Sequence, residues 1–251
     1  MNLYIIIPAY NEEAVIGDVI GQVKESYSNI VVVDDGSVDG TGEKARQNGA
    51  IVLRHLLNRG QGAALRTGIN YALEQDADII VTYDADGQFE AGEIAKLCQP
   101  IIDGSADIVL GSRFLSQVLP LDSGEPYQQA PPLSVRGGRG ELDNNNIRKK
   151  NRIPFLKKLI LIPAILFTRA ITGLKLTDTH NGFRSFSRRA AEQIKIRQDR
   201  MAHASEIVHE VARLGLRYKE LPITVKYTEY SRRKGQKLSN SFRILFDLIF
   251  K

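Results

Sequence analysis

Asp84-Ala85-Asp86-Gly87-Gln88 places two carboxylates one residue apart, followed by an amide, directly after the apolar run Ile79-Ile80-Val81-Thr82-Tyr83. An acid pair at a strand end can hold a divalent cation. Hard oxygen ligands suit Mg²⁺ or Mn²⁺, and such sites share the ion with substrate phosphates. The same five residues also suit a solvated turn, since Asp and Gly supply turn geometry. Taken alone, the pentapeptide leaves both readings open.

The elements that must position these acids follow from periodicity. The spacing predicts strands over Leu3–Pro8, Ile30–Val33, Ile51–Arg54, Ile79–Tyr83 and Ile108–Leu110. Helical spacing lies between them, over Glu12–Ser26, Asp39–Asn48 (stopped by Gly49), Gly62–Glu74 and Glu90–Ile102. Strand and helix in alternation imply a mostly parallel sheet covered on both faces. Ligands of such sheets bind at the carboxyl ends of the strands. Polar segments collect there: Pro8-Ala9-Tyr10-Asn11-Glu12-Glu13, Asp34-Asp35-Gly36-Ser37, Asn58-Arg59-Gly60-Gln61-Gly62, the Asp84–Gln88 run, and Gly111-Ser112-Arg113.

The pattern stops over 116–152, a stretch rich in Gln, Pro, Gly and Asn that reads as a long flexible insertion. Beyond it, 153–172 is strongly apolar. A polar turn covers Leu176–Arg184, and helices are predicted over Ser187–Lys195 and Ala202–Leu214. A strand is predicted over Leu221–Tyr227, then a basic loop over 231–237 and an amphipathic helix from about Ser239.

The bulk numbers fit one enzyme-sized α/β domain. The chain has 251 residues, 43% of them hydrophobic, and a single cysteine, Cys98. One cysteine excludes an internal disulfide framework and a Cys-rich metal site and suits a reducing compartment. Cys98 itself reads as a small core residue. Met1-Asn2-Leu3-Tyr4 runs into a strand without a basic leader, so no secretory signal is expected. Leu159 to Thr168, the longest uncharged apolar stretch near the middle, is ten residues and too short to span a bilayer. The net charge of +5 hides an asymmetry: residues 1–113 carry −9, 114–183 carry +5 and 184–251 carry +9. A basic C-terminal half suits anionic partners such as phosphates or a lipid surface, or is an ordinary solvated face.

In this order and on these strand ends, the segments resemble the family 2 inverting glycosyltransferases of the GT-A fold. The chain looks most like the dolichyl-phosphate mannose synthase group, which moves a sugar from a nucleotide onto a polyprenyl phosphate. The likeness is dense over 1–113 and looser over 153–240. Asp178 with Gly182-Phe183-Arg184, then Glu206, then the basic loop near Lys234 continue it. The resemblance implies one GT-A (nucleotide-diphospho-sugar transferase) domain over 1–251, a Rossmann-like sheet flanked by helices. Residues 1–113 would form the nucleotide-sugar half and 153–251 the acceptor half.

It also implies roles. Asp84, Asp86 and Gln88 would ligate Mg²⁺ or Mn²⁺, with Asp84 close to the ribose or the metal. Pro8, Tyr10, Glu12, Val33 and Asp35 would hold the nucleoside of a GDP- or UDP-sugar, and Ala85 would join the donor-binding set. Arg113, Arg232, Arg233 and Lys234 would pair with the diphosphate or with an acceptor phosphate, the arginines bidentately. Asp86, Arg113, Asp178 and Glu206 form the expected catalytic group. Several of these residues also have plainer readings. Arg113 could be a surface ion-pair residue, 232–237 a solvated loop, Tyr10 a cap on the sheet edge, and Glu12 a favourable charge at a helix start. Gln61 stands where relatives commonly carry Lys, which leaves no cation there. A phosphate acceptor is already anionic and needs no base, whereas a hydroxyl acceptor does. Asp178 and Glu206 could therefore be bases, positioning groups or partners of Arg184. His203 and His209 read as structural or solvated.

Leu156, Leu159, Ile160, Pro163, Ile165, Leu166 and Phe167, edged by Lys157, Lys158 and Arg169, make an apolar surface. Phe242, Leu245, Phe246, Ile249 and Phe250 make a second. Such segments lie in a bilayer interface or complete a core. The expectation is a metal-dependent inverting glycosyltransferase, peripheral at the cytoplasmic face of the membrane, with a polyprenyl phosphate acceptor, anchored by a partner membrane protein or by the combined apolar and basic segments, and with no nucleic-acid partner. The alternatives are transfer to a hydroxyl of a lipid-linked cell-surface glycan, a nucleotidyltransferase, or a sugar-nucleotide-binding protein.

Overall fold

The computed structural model describes residues 1–115, 169 and 172–226. Four sequence expectations lie wholly or largely outside those residues: the 116–152 insertion, the apolar 153–172 segment, the basic loop with Arg232, Arg233 and Lys234, and the C-terminal amphipathic helix.

Strands β1 (Leu3–Ala9), β2 (Asn29–Asp34), β3 (Ile51–Arg54), β4 (Ile79–Thr82) and β5 (Ile108–Ser112) alternate with helices α1 (Ile16–Lys24), α2 (Thr41–Gln47), α3 (Gln61–Glu74) and α4 (Ile94–Ile102), the last entered through a 3₁₀ turn, Ala91–Glu93. Then come β6 (Arg184–Ser187), α5 (Arg188–Gln193), α6 (His203–Arg213) and β7 (Tyr218–Pro222). The seven strands form one sheet in the order β3-β2-β1-β4-β6-β5-β7. All neighbours are parallel except β6, which runs antiparallel between β4 and β5.

The apolar strands bury both faces. Ile5, Ile7, Ile30, Val32, Ile79 and Val81 pack on one side with Ile16, Ile20 and Val23 of α1 and Ile94, Leu97 and Cys98 of α4. Tyr4, Ile6, Val31, Val33 and Ile80 pack on the other with Ala64, Leu65 and Ala72 of α3 and Ile207, Val208 and Val211 of α6. Each buried Ile or Val contributes about 1.5–3 kcal/mol. The small residues of α3 let it lie close on the sheet: a Cβ on Gly68 would sit 2.3 Å from Ile6 Cγ2.

Several boundaries differ from expectation, among them two after the insertion. The strand expected over Leu221–Tyr227 is Tyr218–Pro222, and the helix expected over Ser187–Lys195 is Arg188–Gln193. The segment before that helix is β6, which pattern did not reveal. Its register sets Arg184 against Thr82 on one side and Leu110 on the other. The antiparallel insertion thus delivers a buried cation to the edge where β4 and β5 end.

Candidate active site

Asp84 and Asp86 lie just beyond β4, in a loop fastened from beneath. Tyr83 Oη donates to the Phe89 carbonyl at 2.6 Å, and Tyr83, Phe89 and Phe183 form an aromatic trio with centroids 4.9–5.7 Å apart. Phe89 bridges Val225, and Lys226 N–H donates to the Gln88 carbonyl at 2.8 Å. The turn itself closes as Asp86 Oδ1 accepts the Gln88 N–H at 3.1 Å, with Gly87 at φ 70°. This turn geometry and the acid pair coexist.

Asp84 is under electrostatic stress. Burial, then the neighbouring Asp86 charge, push its carboxyl up to about 7, while Arg184, Arg113 and the Gln61 N–H pull the other way. Gln61 Nε2 donates to Asp84 Oδ1 at 2.9 Å, so a neutral amide holds the acid. Gly182 presses on the same carboxylate: a Cβ there would fall 2.5 Å from both oxygens. Thr82 Oγ1 donates to the Gly182 carbonyl at 2.6 Å and locks that approach.

Arg113, one residue past β5, meets Asp178. Its Nε donates to Oδ2 at 2.7 Å, its Nη2 to Oδ1 at 2.9 Å, and its backbone N–H to Oδ2 at 3.1 Å. Burial alone would raise the Asp178 carboxyl, but the Arg113 charge and hydrogen bonds outweigh it and hold the group below the usual carboxylate range. Glu220 of β7 fixes the backbone there, accepting N–H groups of Thr177 and Asp178 at 2.8–2.9 Å. Arg184 is buried to 2% exposure, and its charge acts on both Asp84 and Asp178. Burial lowers its pKa to about 10, so it stays cationic at neutral pH.

The residues expected to hold the nucleoside lie at the ends of β1 and β2. Tyr10 is 42% exposed, while Glu12 and Asp35 are buried. Asp35 is a hub. Its Oδ1 contacts His55 Nδ1 at 2.6 Å and accepts the Arg59 N–H at 3.0 Å, and its Oδ2 accepts the Gly60 N–H at 2.6 Å. Val33 is fully buried on the α3 side, in a strand paired on both sides, and Ala85 is buried in the other core. Pro8 sits at the parallel register with Val33. Glu206 of α6 accepts the backbone N–H groups of Arg197 and Gln198 through Oε2, at 2.9 and 2.8 Å. His203 is buried beside the Arg200 carbonyl and His209 is exposed.

The model for the family described as glycosyl transferase family 2 matches residues 4–195. The chain belongs to that family. This family 2 glycosyltransferase is 36% identical over 99% of its length to an uncharacterized protein of Methanocaldococcus jannaschii, covering 91% of it. It is 32% identical to the UDP-N-acetylglucosamine–dolichyl-phosphate N-acetylglucosaminyltransferase of Methanococcus voltae, with 98% and 94% of the two chains covered. It is 29% identical to the undecaprenyl-phosphate mannosyltransferase of Micrococcus luteus, with 89% and 83% covered. Its fold matches glucosyl-3-phosphoglycerate synthase of Mycobacterium tuberculosis, solved with Mn²⁺ and UDP-glucose, at a TM-score of 0.65 and 18% identity, over 99% of this chain and 76% of that one. The GT-A architecture expected from the sequence is therefore present.

The donor set of this glycosyltransferase fits a divalent cation. Among the described residues no group of three or more His, Cys, Asp or Glu side chains gathers as a cage. Two carboxylates without a cage suit Mg²⁺ or Mn²⁺, which keep open positions for phosphate oxygens. A bound cation would offset the burial and the Asp86 charge that together raise Asp84.

Sequence reasoning singled out Gln61 but not its hold on Asp84, and it missed Glu220, whose carboxyl fixes the Asp178 turn. Nothing in local pattern marks either contact, because each partner is distant in the chain.

Proposed function

We propose that this glycosyltransferase moves a sugar from a nucleoside-diphosphate sugar onto a polyprenyl phosphate, with inversion at the anomeric carbon and with Mg²⁺ or Mn²⁺ held by Asp84 and Asp86. The observation that carries the reading is the placement of the strained acid pair and the Arg113–Asp178 pair around one buried cation, Arg184, at one sheet edge. The names of the relatives in Methanococcus and Micrococcus, both acting with polyprenyl-type phosphates, support the acceptor class.

In this reading an acceptor phosphate oxygen attacks the anomeric carbon. The bond from that carbon to the diphosphate breaks, and the nucleoside diphosphate leaves with the electron pair. The cation would stabilise the charge that grows on the leaving group. Arg113, 29% exposed in its side chain and pre-set by Asp178, presents fixed positive charge to a phosphate. Asp35 and its loop, with Tyr10 and Glu12, flank the nucleoside. Glu206 has no proton to remove from an anionic acceptor, in keeping with an Oε2 already given to two backbone N–H groups.

The acceptor is a lipid, so the enzyme works at a membrane surface, which we place at the cytoplasmic face. Among the described residues no helix is long and apolar enough to cross a membrane. Arg232, Arg233 and Lys234 add positive charge for a phosphate.

A thermal-shift panel tests the donor half. Native-state ligands raise the melting temperature with occupancy. A shift with one UDP- or GDP-sugar that requires Mn²⁺ and disappears in Asp86→Ala is expected. No shift with any donor in folded protein would overturn the reading.

A further inference from the structure

Two polar atoms in the turn Thr179-His180-Asn181 are left unanswered by the fold. His180 Nε2 and Asn181 Nδ2 are buried and have no hydrogen-bond partner among the described residues, where no other buried side-chain nitrogen or oxygen shares that state. Buried donors left unpaired are costly, and native folds keep few of them.

Their chemistry depends on what surrounds each group. Asn181 Oδ1 accepts the Phe183 N–H at 2.9 Å, so the orphan is the amide nitrogen, a donor. His180 Nδ1 lies 2.8 Å from Thr179 Oγ1. Burial lowers the imidazole pKa, with Arg113 and Arg184 adding to the effect against Asp178, and the ring is neutral. The hydroxyl can donate to Nδ1 or accept from it. We take the tautomer in which it donates, which puts the ring proton on Nε2 and gives the turn two adjacent neutral donors.

Its place in the fold is equally defined. It begins at Asp178, clamped by Arg113, and ends at Gly182, pressed on Asp84. It thus links the residue gripped by Arg113 to the residue pressed on Asp84. Phosphates bound near those two ends would meet cations. Neutral donors in a desolvated turn match neutral oxygens. A sugar nucleotide carries those on its base, ribose and hexosyl group, and with the nucleoside assigned above to the Asp35 loop, the hexosyl group is the part left to meet this turn.

We propose that His180 Nε2 and Asn181 Nδ2 determine donor specificity by donating hydrogen bonds to hydroxyl oxygens of the transferred sugar. This rests on the donor reading given above. A sugar whose hydroxyls match would satisfy both donors, and one that does not would leave them unpaired, the arrangement that discriminates most strongly between polar ligands.

A pair of variants separates contact from structure. His180→Asn keeps a polar atom near Thr179 and deletes the one at Nε2. His180→Gln carries an amide nitrogen close to the Nε2 position. Calorimetric titration in Mn²⁺ would compare UDP and GDP with UDP-N-acetylglucosamine, UDP-glucose and GDP-mannose, alongside turnover and the melting temperature of the free protein. Nucleoside diphosphate affinity is expected to stay within about twofold in both variants. Turnover of the preferred sugar nucleotide should fall about 100-fold in His180→Asn and recover at least about tenfold in His180→Gln, with the melting temperature of His180→Asn not lowered. Equal loss of nucleoside diphosphate and sugar nucleotide affinity, or unchanged turnover in His180→Asn, would overturn the proposal while leaving the donor reading intact. Failure of the unaltered protein to bind either nucleoside diphosphate with metal would overturn both.

Discussion

Arg113 grips Asp178 through two parallel N–H···O bonds, 2.7 Å from Nε and 2.9 Å from Nη2, and the aspartate side chain is fully buried beneath it. Removing the arginine strands a buried carboxylate. Arg113→Ala is therefore expected to cost about 3–5 kcal/mol in urea unfolding. Arg113→Lys keeps a charge but loses the fork, and should fall between that variant and the native protein. A loss of stability below about 1 kcal/mol in Arg113→Ala would mean that the pair is not formed in solution.

Glu220 gives stability a pH dependence with a definite sign. Burial raises its carboxyl from the ordinary 4.5 to about 7, against the Thr177 and Asp178 N–H groups that favour the charge. The folded chain holds that proton where the unfolded chain has released it. Its contribution is complete below about pH 4.5 and is lost as pH rises through about 7. A shift of this size corresponds to about 3 kcal/mol. Denaturant midpoints measured across that window should decline less steeply in Glu220→Gln than in the native protein.

Asp35 holds the loop that follows β3. Asp35→Ala would leave the buried contacts at His55 and the Arg59 and Gly60 N–H groups without an acceptor, a loss of about 2–4 kcal/mol. Amide exchange at Arg59 and Gly60 should rise well before exchange in the core of β1. Unchanged protection at both amides would show that another group holds the loop.

Glu206 separates the acceptor classes. Loss of a true general base slows turnover about 10²–10⁴-fold. Glu206→Gln retains an oxygen for the Arg197 and Gln198 N–H groups, so turnover with a polyprenyl phosphate is expected within about threefold of native. A drop of several hundredfold would favour a hydroxyl acceptor.

Local pattern was a good guide wherever chemistry and periodicity coincide. Ile5, Ile6 and Ile7 announced a strand buried on both faces, and the helical spacing of Ile16, Val19, Ile20 and Val23 marked α1. The acids at the ends of β2 and β4 were legible because parallel sheets gather function at those ends. Strand β6 was not legible. Arg184-Ser185-Phe186-Ser187 is short, half polar and opened by a charge, and it is a strand because β4 and β5 supply partners on both sides. The grip of Gln61 on Asp84 and of His55, Arg59 and Gly60 on Asp35 was hidden for a related reason. These partners lie 20 to 25 residues apart, and only the folded loops bring them together.

The most direct test of the account is a transfer assay with product analysis. The purified protein would be incubated with Mn²⁺, a panel of UDP- and GDP-sugars and a polyprenyl phosphate, and the lipid and nucleotide products identified by mass spectrometry. The account predicts a glycosyl-phosphoprenol with a β-linked sugar, one nucleoside diphosphate released per transfer, and no product from Asp86→Ala. Release of pyrophosphate from a nucleoside triphosphate and a sugar phosphate, or no glycosylated lipid phosphate with any donor in folded protein, would contradict it.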